Sequence, residues 1–201
     1  MLIQGDEMTK LETKTEQTIS ALVYPYWHPS GKYIAYSVND TKQLFYTHHQ
    51  NRIEVMDLAS DVVVYDVEKN EIVTSPTFFK EDVFETFPSF SPDGKTLYYC
   101  AARRQSIPDD TEKLRYHLCA VSFDAETRTF GEKADTLYQA EQLDKSVSFP
   151  RVSPDGKYLM FTLADYATFP IWHQEADLWM LDLNQGTMTC LDALNSNSVE
   201  S

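Results

Sequence analysis

The 201 residues carry 17 Lys+Arg against 31 Asp+Glu, a net charge of −14, with 42% hydrophobic and 13% aromatic residues. That length suits one ordinary domain, the apolar content excludes a disordered chain, and the negative charge would repel a phosphate backbone, which excludes general nucleic-acid binding. No apolar run approaches the roughly 18 residues of a membrane-spanning helix.

Residues 1–17 are polar and lack the basic start and apolar stretch of a secretory signal peptide. They are expected to be disordered and to hold no leader, which suits either a cytoplasmic chain or a mature or truncated piece whose leader is absent. From residue 18 onward the chain repeats itself. Segments 25–37, 88–100 and 150–162 share one pattern, whose aligned prolines Pro29, Pro92 and Pro154 are spaced by 63 and 62 residues. A fixed period of this kind marks a repeat architecture.

In the first copy a short strand leads into the turn His28-Pro29-Ser30-Gly31, and Tyr33–Val38 reads as the strand after it. Proline sets φ near −65° and glycine accepts positive φ, so the turn follows from its residues. A third strand is predicted over Asp61–Val67 and a fourth over Glu71–Ser75. The second copy places Pro92, Asp93 and Gly94 in the turn, with strands over Leu97–Cys100, His117–Phe123 and Arg128–Gly131. The third places Pro154, Asp155 and Gly156 there, with strands over Tyr158–Leu163, Asp177–Leu183 and Thr187–Leu191.

Strands apolar on both faces call for cover on both faces, and four antiparallel strands in tandem are the pattern of propeller blades. The expected fold is all-β and β-propeller-like, with three four-stranded antiparallel blades over 18–192 (about 18–77, 78–138 and 139–192) and a polar tail, 193–201, toward a missing blade. Because a ring needs typically 4–8 blades, the propeller is expected to be incomplete. Further blades, or another chain, would complete it.

The Ser-Pro-Asp-Gly-Lys turns at 91–95 and 153–157, each before an apolar strand, and the run from Asp177 to Leu183 resemble the TolB-type propeller repeat, also called the WD40-like PD40 repeat, across about 18–192. The first copy departs from the motif, and His28 reads there as a structural replacement for serine. The long aromatic loops are similar to those of a Bacteroidetes cell-envelope variety. The resemblance implies a place in the periplasm or cell envelope and a partner there.

With the strands of each blade named A to D from inside out, the Pro-Asp-Gly turn joins A to B at one face of the disc and the B–C connection lies at the other. From the aligned proline to the middle of strand C (Asp66, Ser122 and Asp182) the offsets are 37, 30 and 28 residues, so the extra length gathers on the B–C face. Long connections on a rigid scaffold are where binding usually sits. The first holds Phe45, Tyr46, His48, His49 and Arg52, the second Arg103 and Arg104, the third Tyr166, Phe169, Trp172 and His173. Together they offer flat apolar contact and hydrogen bonds to a protein or peptide. Phe45, Phe169 and Trp172 equally suit packing of loops onto the blade tops, and Arg103–Arg104 suits an anion or a solvated loop. His48, His49 and His173 could meet on a metal, but no carboxylate spacing supports it, so no metal and no cofactor are expected. Asp61 and Asp177 suit capping of loop backbone. Cys100 and Cys119 on neighbouring strands could bridge or lie free in the core.

The chain has no G-x-S-x-G nucleophile elbow and no H-E-x-x-H. The reading is a non-enzymatic binding module with no catalytic residue. The alternatives are the propeller portion of an enzyme (peptidase-associated, or a metal-dependent polysaccharide lyase) and a structural piece of an envelope assembly.

Overall fold

The computed structural model describes residues 2–4, 7–9, 21–46, 52–73, 75–78, 80–167 and 175–195. Where the composition predicted disorder over 1–17, Leu2–Gln4 (β1) and Glu7–Thr9 (β2) pair as a short antiparallel hairpin, with Ile3 opposite Met8. Three antiparallel blades follow. The first runs Ala21–Trp27 (β3), Tyr33–Tyr46 (β4), Arg52–Asp66 (β5) and Glu71–Val73 (β6) in that order. The second runs Val83–Phe90 (β7), Thr96–Arg103 (β8) and His117–Asp124 (β9). Its outer edge is divided between Thr129–Phe130 (β10) and Asp135–Tyr138 (β11), both pairing β9. One outer strand was expected there. Instead the Gly131 N–H donates to Ser122 O and the chain leaves the edge until Asp135. The third blade runs Ser146–Val152 (β12), Tyr158–Ala164 (β13), Asp177–Asp182 (β14) and Met188–Cys190 (β15), before the short helix Asp192–Asn195 (α1). No helix among the described residues is long and apolar enough to cross a membrane.

The A–B turns are chemically alike. Gly31, Gly94 and Gly156 all sit at φ +72°. Ser91 Oγ donates to Asp93 Oδ1 at 2.6 Å and accepts the Thr96 N–H, while Asp93 Oδ1 accepts the Lys95 N–H. Ser153, Asp155, Lys157 and Tyr158 repeat the arrangement. The serine hydroxyl first, and then the backbone N–H, hold both aspartates below the usual carboxylate range. In the first blade Ser30 Oγ accepts the Lys32 N–H, and His28 Nδ1 accepts the Ser30 N–H. That leaves His28 Nε2–H to donate to Gly94 O of the next blade at 3.0 Å. The histidine therefore completes its own turn and ties two turns together.

Alternation along the strands builds the cores. Ala35, Val62 and Val64 meet Phe90, Leu97 and Val121 between the first and second blades. Tyr98, Cys100 and Leu118 meet Val147, Leu159 and Leu163 between the second and third. Burial of each large apolar side chain stabilises by about 1.5–3 kcal/mol. Ile34, Tyr36, Val38, Val63 and Tyr65 form a cluster on the other face of the first blade. The third blade is open on its far face, where Tyr158 is 38% and Met160 42% exposed. Cys119 lies opposite Tyr99 and Cys100 opposite Leu118, so alternation sends the two thiols to opposite sides of the sheet. Both are free and buried.

Each inner strand also carries a bulge. Pairing slips between Val23 and Tyr26, between Thr86 and Ser89, and between Ser148 and Arg151. At each slip an aromatic residue before a proline has positive φ: Tyr24 at +56°, Phe87 at +53° and Phe149 at +52°. The three rings meet, with centroids 4.6 Å (Tyr24–Phe87), 4.1 Å (Phe87–Phe149) and 6.0 Å (Tyr24–Phe149) apart.

Candidate functional site

The B–C face holds two features, a ribbon and a cleft. Among the described residues, β3 pairs β4 as far as Asn39, and β6 pairs β5 from Val64 to Asp66. Beyond that limit β4 and β5 continue together from Asp40↔Leu58 to Tyr46↔Arg52. At about 3.3 Å per residue this two-stranded ribbon is about 20 Å long. The first B–C connection is thus not the long loop the sequence suggested, and strand C of that blade begins at Arg52 rather than near Asp61. Its aromatic and β-branched residues favour extended pairing, and a bulge between Val38 and Asp40, with Ala59 at φ +48°, marks where the ribbon leaves the blade. Phe45, Tyr46 and Arg52 lie in the ribbon, with Phe45 opposite Ile53. His48 and His49 lie outside the described residues, as do Phe169, Trp172 and His173.

The second B–C connection is a packed element. It turns through a 3-10 segment, Thr111–Lys113. Tyr116 N–H donates to Ser146 Oγ, Val147 N–H to Tyr116 O and Ala167 N–H to Leu114 O. These bonds weld the second blade to the third. Tyr166, expected on the recognition surface, is 8% exposed and packs in this core. Arg104 Nε donates to Val83 O, and its guanidinium lies 5.2 Å over the Phe84 ring. Arg103, one residue earlier on the alternating strand, lines the cleft, and Arg104 does not. Asp61 is buried, and burial pushes its carboxyl up to about 6 against the opposing pull of Arg104.

The cleft, of about 720 Å³, opens between the second blade and the residues Pro76, Thr77, Lys80 and Asp82. One rung of the second blade shapes it. Glu85 on β7 pairs Ala101 on β8, which pairs His117 on β9. Neighbouring strands stand about 4.8 Å apart, so acid and imidazole are spaced about 10 Å across a small alanine. Glu85 is 2% exposed. His117 Nδ1 accepts the Ala140 N–H at 3.0 Å, so the neutral ring carries its proton on Nε2. Tyr99 and Cys119 complete the base, and burial pushes the Cys119 thiol up to about 11, so it is inert as a nucleophile. Lys80, Arg103 and Lys133 stand on the rim with Asp82 and Glu132.

The same rung in the other blades reads Leu22–Val38–Asp61 and Val147–Leu163–Asp177. Glu85 escaped the sequence reading because it sits in a strand. The signal was available, since at seven residues before the aligned proline the copies carry Leu22, Glu85 and Val147. Among the described residues, no three His, Cys, Asp or Glu side chains are grouped to hold a metal ion.

A family model for the dipeptidyl peptidase IV (DPP IV) N-terminal region matches residues 39–177. No curated protein sequence matches the chain. Among solved structures, one described as TolB from Agrobacterium tumefaciens is similar over 87% of this chain and 50% of its own, with 14% identity and a TM-score of 0.53. A prolyl endopeptidase is similar over 85% of this chain and 21% of its own, with 16% identity and a TM-score of 0.53. The chain thus spans about half of the first of these proteins and about a fifth of the second, and at such identities the likeness is one of fold.

Proposed function

The chain belongs to the dipeptidyl peptidase IV N-terminal region family, and from that premise we propose that it is a non-enzymatic TolB-like propeller module that recognises a protein or peptide partner through its B–C face. The observation that carries this is the ribbon of β4 and β5. Among the described residues, no strand of the first blade pairs its outer edges beyond Asn39 and Val64. Unpaired edges invite strand addition by a partner, main-chain hydrogen bonds giving affinity and alternate side chains giving specificity. Phe45, Tyr46 and Arg52 on the ribbon, Arg103 and Arg104 beside the cleft, and His48, His49, Phe169, Trp172 and His173 are the residues proposed to contact that partner. A location in the periplasm or cell envelope is part of this reading, and the net charge of −14 sets it against nucleic acid.

The test is capture of envelope proteins from a native extract, in parallel with a variant whose ribbon is replaced by an Asn-Gly turn between Asn39 and Ala59. We expect the variant to melt as the parent does and to lose the captured partner. An unchanged set of partners would overturn the reading. The family match favours a second reading, in which this module is the propeller portion of a longer enzyme. Activity of a longer chain against peptide substrates, abolished by changes outside residues 1–201, would support it.

A further inference from the structure

The A–B turns of successive blades meet, and one meeting is filled while the next is open. Between the first and second blades the filler is His28. Its Nε2–H donates to Gly94 O, Tyr33, Phe90 and Phe123 stand edge-on around its ring, and a Cβ on Gly94 would lie 2.2 Å from Nε2. Counted from the aligned prolines, the counterparts one blade on are Ser91 for His28, Gly156 for Gly94, Thr96 for Tyr33 and Val152 for Phe90. Leu183 stands for Phe123, because its N–H donates to Lys157 O as that of Phe123 donates to Lys95 O. Four rings thus give way to four smaller side chains. Between the second and third blades this leaves a cavity of about 280 Å³, walled in part by Ser91, Asp93, Thr96, Tyr98, Asp155 and Gly156. That is just below the roughly 300–1,000 Å³ of ordinary small-molecule sites, which suits one small ring.

Ser91 does not replace the bond that His28 makes. Its Oγ is used within its own turn, donating to Asp93 Oδ1 and accepting the Thr96 N–H. Among the described residues, Gly156 O therefore lacks the donor that Gly94 O has. The charge differs as well. Where the first space has Ser30 and Asp93, the second has Asp93 and Asp155. Both carboxylates are exposed at its mouth, and the hydrogen bonds of their turns hold both ionised. Lys157 Nζ lies 3.2 Å from Asp155 Oδ2, an exposed pair of the kind that holds weakly. Burial favours a neutral ring at His28. Two open carboxylates favour a protonated one, through charge-assisted hydrogen bonds.

We infer that this cavity binds a protonated imidazole supplied from outside the chain. One ring N–H donates to Gly156 O, as His28 donates to Gly94 O, and the other meets the Asp93 and Asp155 carboxylates. The site lies on the turn face, opposite the ribbon, so it does not depend on the partner-binding reading. The ring has two sources, a free imidazole compound and a histidine side chain of another protein.

The probes are imidazole itself and N-acetyl-histidine methylamide, titrated into the whole chain while the backbone amides are followed by NMR. Saturable shifts of the Thr96 and Gly156 amides are expected, with dissociation constants on the order of 1 mM for so small a ligand. Tighter binding of imidazole assigns a free ligand, and tighter binding of the peptide analogue assigns a partner's histidine. Binding should weaken from about pH 6 to about pH 8.5, across the imidazole range near 6.5. Asp93 and Asp155 stay ionised throughout, and Lys95, Lys157 and Tyr98, the other titratable groups of these turns, belong to classes that titrate near 10. Gly156→Ala should weaken binding about tenfold or more, since its Cβ would contest the ring as one on Gly94 would contest His28. Gly31→Ala, equal in φ but open around, should bind as the parent does. The double change Ser91→His with Asp93→Ser installs the first blade's turn and should remove binding by filling the site from within. If that variant fails to fold, the two glycine variants still decide. His28→Gly supplies a reference, because imidazole entering the emptied first space should raise its melting temperature. Rescue of His28→Gly with no shift at Gly156 in the parent, or undiminished binding to Gly156→Ala, would overturn the inference.

Discussion

Gly31, Gly94 and Gly156 occupy one place in three copies of one turn, each at φ +72°. Alanine at any of them costs about 1–2 kcal/mol for the left-handed backbone. Their surroundings differ. A Cβ at Gly31 meets nothing within 4 Å, and at Gly156 it meets Pro92 Cδ at 3.9 Å. At Gly94 it would stand 2.2 Å from His28 Nε2, 2.6 Å from His28 Cε1 and 3.1 Å from Pro29 Cγ. The imidazole cannot swing away freely, because Tyr33, Phe90 and Phe123 hold it edge-on with ring centroids 5.5, 4.9 and 5.7 Å away. Overpacking adds about 1–3 kcal/mol, and losing the His28 bond to Gly94 O adds about 1 kcal/mol. Gly94→Ala is therefore expected to lose about 3–6 kcal/mol, against about 1–2 kcal/mol for Gly31→Ala and Gly156→Ala. Urea unfolding at a common m-value reads the difference as a shift in midpoint. In a His28→Ala background the excess should vanish, leaving the backbone cost alone, a coupling of about 2–4 kcal/mol. A Gly94→Ala penalty equal to that of Gly31→Ala, or one undiminished without His28, would refute the reasoning.

Asp61 has its carboxyl raised to about 6 from 3.8, so ionising it opposes folding. Asp61→Asn should stabilise by up to about 3 kcal/mol near pH 7.5. That gain should close as the pH falls through about 6 toward 3.8 and the parent's own carboxyl becomes neutral; a gap independent of pH would discount the burial argument. Phe87 is fully buried between Tyr24 and Phe149, and Phe87→Ala should cost about 3–5 kcal/mol in urea unfolding. Because its φ is +53°, Phe87→Gly should be no less stable than Phe87→Ala, reversing the usual order in a strand. Arg128 pairs Asp66 at 3.0 Å and also Glu71, clamping the second blade to the first. Arg128→Met should cost about 2–3 kcal/mol by leaving the buried Asp66 carboxylate without its cation. An unchanged denaturation midpoint would show the clamp to be energetically neutral.

The propeller was legible because its turns are locally encoded. Pro and Gly at fixed offsets dictate the same backbone wherever they recur, and apolar runs after them have one place to go. Even the departure at His28 was readable as structural, although its bond to Gly94 O in another blade was not. The ribbon was less legible, since residues 39–57 mix charged, aromatic and β-branched types, and length alone suggested a loop. Pairing between Phe45 and Ile53 is a non-local fact. The cleft was illegible residue by residue, for Glu85 in isolation is one acid among many, and its meaning appears only beside Leu22 and Val147. The three bulges left a trace in the dipeptides Tyr24-Pro25, Phe87-Pro88 and Phe149-Pro150 at the repeat spacing. Their convergence depends on how the inner strands are turned toward one another.

That convergence bears on how the module comes apart. Stacked repeats ordinarily contact only their neighbours, so their stability adds along a line and the ends fray first. Here the first and third blades touch directly, through Tyr24 with Phe149 and through the Arg151 guanidinium 5.3 Å over the Tyr26 ring. The three units form a triangle of contacts rather than a row, and no blade can leave without losing contacts to both others. Hydrogen exchange should accordingly find the inner strands of all three blades opening as one unit, with the ribbon exchanging separately and earlier.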